Sequence, residues 1–122
     1  MNGELTFAGD RVEFDGNRIV STSRGVVLFE AEPESEIKKV ETNGKNRLFV
    51  LVRGRASASK TNVFAIDQTG KVVWRAKRQP SDYDDELVDM RYKEPLLEVW
   101  SWNLVYEFDG RSGELVRSEP NK

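Results

Sequence analysis

The sequence predicts an all-β, mostly antiparallel chain, and three observations carry that prediction. Short apolar runs recur along all 122 residues between turn signals, while apolar residues at helical spacing are scarce. Asp-Gly and Asn-Gly pairs stand between alternating segments at Asp15-Gly16 and Asn43-Gly44, where glycine supplies the positive φ that a tight hairpin requires. A strand–turn–strand unit also repeats, once closely and once loosely. Propeller-blade-like hairpins assembled into an incomplete propeller, a sandwich or an open barrel satisfy all three.

The elements follow in order. Arg11–Phe14 and Arg18–Thr22 flank Asp15-Gly16-Asn17 as a first hairpin, Arg24-Gly25 is a turn, and Val26–Glu30 is a strand. Ala31–Glu36 carries a proline and three glutamates and reads as a loop. Ile37–Glu41 pairs across Asn43-Gly44 with Leu48–Val52, a run without alternation that belongs to a strand covered on both faces. Arg53–Lys60 is a small, polar, basic loop, and Asn62–Asp67 and Lys71–Arg78 form a third hairpin. Gln79–Glu86 is an acidic connection, preferred over a helix starting at Ser81 because residues 86–92 alternate better than they spiral. Leu87–Tyr92, Leu96–Trp102, Leu104–Phe108 and Glu114–Ser118 complete about nine to eleven strands. Two-residue periodicity points Val88, Met90 and Tyr92 inward, opposite Leu87, Asp89 and Arg91. It also sets Val72, Trp74 and Ala76 against Lys71, Val73, Arg75 and Lys77, a basic strip.

Length implies one domain spanning 1–122, with 119–122 as a tail. With no Cys and no His there is no thiolate, no imidazole base or relay, and neither of the usual soft metal ligands. No apolar run is long enough to span a membrane as a helix, and the Met1-Asn2-Gly3-Glu4 start lacks a signal-peptide pattern, so a cytoplasmic setting is expected. Nucleophile elbows and phosphate-binding glycine loops are missing too. No catalytic residue, metal or cofactor is assigned. Carbohydrate chemistry through paired acids stays as an alternative, since Asp82, Asp84, Asp85 and Glu86 crowd one connection; a solvated acidic loop is the simpler reading.

The net charge of −2 conceals a division. Residues 38–78 hold eleven Lys or Arg against two acids, a net of +9, whereas the rest carries −11. The simplest expectation is neutralisation between neighbouring strands. The alternative is a binding surface: Arg53, Arg55, Lys71, Arg75 and Lys77 on the basic side, Asp84, Asp85 and Glu86 on the acidic side. A polyanion or single-stranded nucleic acid is a secondary candidate partner, disfavoured by a pI of about 5.3 and by the absence of a nucleic-acid-binding motif. Trp100, Trp102 and Tyr106 share parity and are expected in the core; exposed, they would form a binding stripe, and a turn at Ser101-Trp102-Asn103 would break the parity.

The repeated unit is clearest at Ala65-Ile66-Asp67-Gln68-Thr69-Gly70-Lys71-Val72-Val73-Trp74. A related stretch runs from Tyr106 through Asp109 and Gly113 to Val116, with Arg117 where the tryptophan would fall, and Phe14–Val20 is a looser third copy. The spacing of 42 residues between Asp67 and Asp109 fits a propeller blade. The Ala65–Trp74 stretch resembles the repeat of pyrroloquinoline-quinone-type β-propellers, and the order of the two copies is similar to that of a group of small bacterial proteins. The resemblance implies structural roles for Asp67, Thr69, Gly70 and Trp74, with Asp109 and Gly113 matching in the second copy. No quinone site is matched. At this length fewer than three blades are expected, against about four for a closed ring. An open sheet leaves unpaired edges, so a protein partner is expected, first of all a second copy in a homodimer.

Overall fold

The computed structural model describes residues 2–33, 35–53, 62–77 and 86–120. Among the described residues twelve strands make three antiparallel four-stranded sheets, each a meander in sequence order, and no sheet closes into a barrel. The first holds β1 (Asn2–Phe7), β2 (Asp10–Asp15), β3 (Arg18–Ser23) and β4 (Val26–Ala31). The second holds β5 (Ile37–Thr42), β6 (Leu48–Val52), β7 (Val63–Ile66) and β8 (Val72–Arg75). The third holds β9 (Leu87–Lys93), β10 (Leu96–Ser101), β11 (Leu104–Asp109) and β12 (Leu115–Pro120). There are thus three complete blade-like sheets instead of fewer than three. The additional strand is β1, and β12 absorbs Glu119 and Pro120 from the expected tail. In β1 only Phe7 is fully buried, so the segment carries little apolar signal.

The second sheet lies between the other two. Along β6, Leu48, Val50 and Val52 enter a core shared with Phe7, Val12, Ile19 and Phe29 of the first sheet. Phe49 and Leu51 enter another shared with Met90, Leu97, Tyr106 and Phe108 of the third. Every residue of β6 is buried, as its unbroken apolar run requires. The far faces of the first and third sheets carry charge instead. Arg11 bridges Glu4 at 2.6 Å and Glu13 at 2.8 Å, Arg18 bridges Glu30 at 2.8 Å, and Arg117 pairs with Glu107.

One device joins successive sheets. Each fourth strand is bulged, at Leu28 in β4, Val73 in β8 and Val116 in β12, where the register to the third strand slips by one residue. A bulge re-aims the residue that follows it. Phe29, after the first bulge, lies on Gly70 in the β7–β8 turn, where a Cβ would come 2.7 Å from its ring. Trp74, after the second, lies on Gly113 in the β11–β12 turn, where a Cβ would come 2.5 Å from the indole. Both glycines have positive φ, +86° and +76°. The spacings, 45 residues from Phe29 to Trp74 and 43 from Gly70 to Gly113, are the true blade repeat. In the third sheet the equivalent position is Arg117. The Phe14–Val20 segment is not a third copy, since Asp15 sits at the β2–β3 turn whereas Asp67 and Asp109 sit at third-to-fourth-strand turns.

Bulges also correct two face assignments. Leu87 is fully buried alongside Met90, because the β9–β10 register shifts beside Ser101. In β8, Val72 pairs with Ile66 and Arg75 with Phe64, two residues on one face of β7, so Arg75 shares a side with Val72. The extra residue at Val73 therefore interrupts the simple alternation that had set Lys71, Arg75 and Lys77 in one row.

Candidate functional site

The hairpin residues are occupied locally. Asp67 Oδ1 accepts the Thr69 N–H at 2.8 Å, the Thr69 hydroxyl at 2.6 Å and the Lys71 N–H at 3.1 Å. Asp109 Oδ1 accepts N–H groups from Arg111 at 2.8 Å and Ser112 at 3.0 Å. Both carboxyls are held below their ordinary pKa, Asp67 chiefly by the Thr69 hydroxyl and Asp109 by the Ser112 and Arg111 amides. Trp74 donates its indole N–H to Gly110 O at 3.1 Å and lies against Phe49 and Phe108. These contacts close turns and join sheets. Among the described residues no group of three or more acidic side chains is placed to hold a metal ion.

What stands exposed is concentrated on the outer edge strands. Of seven exposed large apolar side chains among the described residues, six belong to β4, β8 or β12. Sheets defend such edges with charge, proline or bulges. Here β12 has Arg117, Glu119 and Pro120, and β8 carries Arg75 with Lys71 and Lys77 at its ends. Strand β4 reads Val-Val-Leu-Phe-Glu-Ala, without a cation or a proline, and its first three residues are 62%, 52% and 47% exposed. The bulge is common to all three edges; the undefended composition belongs to β4 alone. Among the described strands β4 pairs with β3 alone.

The basic candidates divide between two hollows beside β8. A cleft of about 530 Å³ opens where the first sheet's exit loop meets the second sheet. Its lining includes Ala31, Pro33 and Ser35 from the exit loop, Phe64 and Ile66 from β7, and Val72 from β8, together with Arg53 and Arg75. The Arg75 guanidinium sits 5.2 Å above the Phe64 ring. A second hollow, about 470 Å³, runs from Lys77 to Ser112 and Glu114. Lys71 is exposed at the start of β8, whereas Arg55, Asp84 and Asp85 lie outside the described residues, as does the helix start weighed at Ser81. Glu86 is half-buried just before β9.

The expected neutralisation between strands is sparse. Of the described cations in 38–78, Lys39 alone forms an ion pair, with Asp89 at 2.9 Å. Arg47 instead donates to the backbone oxygens of Arg111 and Asn46. The C-terminal aromatics also separate. Tyr106 is fully buried as expected, but Trp100 is half-buried on the outer face of β10 and Trp102, in the turn after it, is 72% exposed. The Ser101 hydroxyl accepts N–H bonds from Asn103 and Leu104, forming the turn that breaks the parity.

Two polar anchors do more than the sequence signals, Asn43 within a turn already marked and Asn62 with no marker. Asn43 Oδ1 collects the N–H groups of Lys45, Asn46 and Arg47, making the Asn43-Gly44 connection a five-residue loop instead of a two-residue turn. Asn62, 1% exposed, donates from Nδ2 to Val52 O at 3.0 Å and Leu87 O at 2.8 Å, tying the second sheet to the third.

With this geometry in view, the comparisons with known proteins bear mainly on fold. A family described as a domain of unknown function, DUF7957, matches residues 9–119. No curated protein matches the chain in sequence. Among 28 solved chains that match in structure is BamB from Moraxella catarrhalis, a β-propeller protein, with a TM-score of 0.65 and 13% identity. The alignment covers 96% of this chain and 35% of BamB, so the chain spans about a third of that propeller. This likeness establishes a propeller-like fold; the three sheets correspond to blades.

Proposed function

The chain belongs to the DUF7957 family, whose match covers residues 9–119, from just after β1 into β12, and from that premise we propose a non-catalytic protein-binding domain that self-associates along β4. The observation that carries the reading is the undefended edge, Val26–Ala31, with its exposed Val26, Val27 and Leu28. An edge of this kind presents unpaired N–H and C=O groups to an added strand, which supplies main-chain bonds while its side chains bury the apolar patch. A second copy is a fitting strand donor. Run antiparallel and centred on Leu28, two β4 strands bring Arg24 of each chain level with Glu32 of the other. Both residues are exposed and neither is ion-paired within its own chain. Each added backbone hydrogen bond contributes about 1 kcal/mol net, and association costs at least about 4 kcal/mol, so the dimer is expected to be weak and concentration-dependent. The two carboxylates of the repeated unit, Asp67 and Asp109, are engaged in turns, which supports a structural and not a catalytic role for them.

Light scattering on gel-filtered protein tests this across micromolar concentrations. The mass should rise from 14.0 kDa towards twice that value, and Val27→Lys should hold it at the lower mass without changing the circular dichroism. A wild-type chain that stays at 14.0 kDa throughout would overturn the proposal.

A further inference from the structure

The cleft beside β8 has a chemistry distinct from the β4 edge. Its floor is apolar, with Phe64 and Ile66 held rigidly by the first core. Two arginines, Arg53 and Arg75, are among its lining residues, and among the described residues neither forms an ion pair with a carboxylate. Arg75 is held in place by the Phe64 ring beneath it, so less side-chain freedom is lost when it binds an anion. Ser35 is 8% exposed, lines the cleft and makes no hydrogen bond. Among the described residues the one acid on the lining is Glu32, which is exposed. Strand β8, which contributes Val72 and Arg75 to the lining, is an edge strand that pairs with β7 alone among the described strands. The volume, about 530 Å³, lies within the range of specific ligand pockets.

We propose that this cleft recognises the carboxy-terminal end of an extended peptide whose last side chain is apolar. The terminal carboxylate lies against Arg75 and Arg53, a geometry in which guanidinium groups offer paired N–H donors. The last side chain rests on Phe64 and Ile66, the Ser35 hydroxyl bonds the terminal carboxylate or amide, and the peptide backbone runs beside β8. A dimer along β4 is not required, so a strictly monomeric chain could still bind the peptide and the two readings fail independently.

The probe is N-acetyl-Ala-Val-Leu with a free carboxylate, titrated into the full chain and followed by proton–nitrogen correlation spectra. Saturable shifts are expected at the amides of Ser35, Phe64 and Val72 and at Arg75 Nε. The C-terminal amide of the same peptide should bind about tenfold more weakly or worse, the scale of a charge-assisted hydrogen bond. Arg75→Gln should lose a similar factor while the rest of the spectrum stays in place, and Arg75→Lys should recover part of it. No saturable shift, equal binding of the amide, or decanoate binding as tightly as the peptide would each overturn the proposal, the last because it would make peptide backbone irrelevant.

Discussion

Replacing Gly113 by alanine tests the joint between the second and third sheets. Two costs add at this position. The backbone has φ +76°, a left-handed conformation that costs an L-residue about 1–2 kcal/mol. The new Cβ would also lie 2.5 Å from two indole carbons of Trp74, which is itself pinned by the N–H bond to Gly110 O and by its neighbours Phe49 and Phe108. Such overpacking costs about 1–3 kcal/mol more. Gly25 provides the control, because its φ is +80° and nothing lies within 4 Å of its added Cβ. Urea denaturation followed by circular dichroism should therefore show Gly25→Ala losing only the backbone share, about 1–2 kcal/mol, and Gly113→Ala about 2–5 kcal/mol in all. In a Trp74→Ala background, already weakened by about 3–5 kcal/mol, the additional cost of Gly113→Ala should fall to that of Gly25→Ala. Equal losses for the two glycines in the wild-type background, within about 0.5 kcal/mol, would refute the docking argument.

Two other outcomes follow from polar contacts. Asp67 and Asp109 have folded-state pKa values depressed below the ordinary 3.8 by turn hydrogen bonds. Their stabilisation is complete above that value and is lost as pH falls through the lower folded values, so an Asp67→Ala/Asp109→Ala variant should show a flatter loss of stability in acid, read from urea midpoints between neutral pH and the acid limb. Asn62→Ala removes the donors of two buried carbonyls, Val52 O and Leu87 O, and should cost about 2–4 kcal/mol. Asn62→Asp, which cannot donate, should be no better; retention of wild-type stability by either variant would contradict the clamp.

Much of the fold was legible because its signals are local. The apolar run Leu48–Val52 required cover on both faces and received it from two cores. The Asp67 and Asp109 turns announced the repeat, since the short side chain and the nearby glycine determine the hairpin without outside help. What escaped depends on registers and on contacts between distant segments. A bulge leaves no residue signature, so Leu87 was assigned outward and Arg75 was placed in line with Lys71. Phe29 resembled any other strand aromatic until its partner Gly70, forty-one residues away, was seen beneath it. The site was less legible still. That Val26, Val27 and Leu28 remain uncovered is a fact about β4 being outermost in its sheet, and the cleft between Ser35 and Arg75 exists only once two sheets are stacked. Trp100 and Trp102 were expected inside on parity, but the Ser101 turn directs them elsewhere.

Amide hydrogen exchange along the three outer strands, measured at low and high protein concentration, tests the role of β4 most directly. Protection of residues 26–31 should rise with concentration, while β8 and β12, defended by charge and proline, exchange at the same rates throughout. Exchange in β4 that ignores concentration, or protection that rises in β8 or β12 instead, would contradict the account.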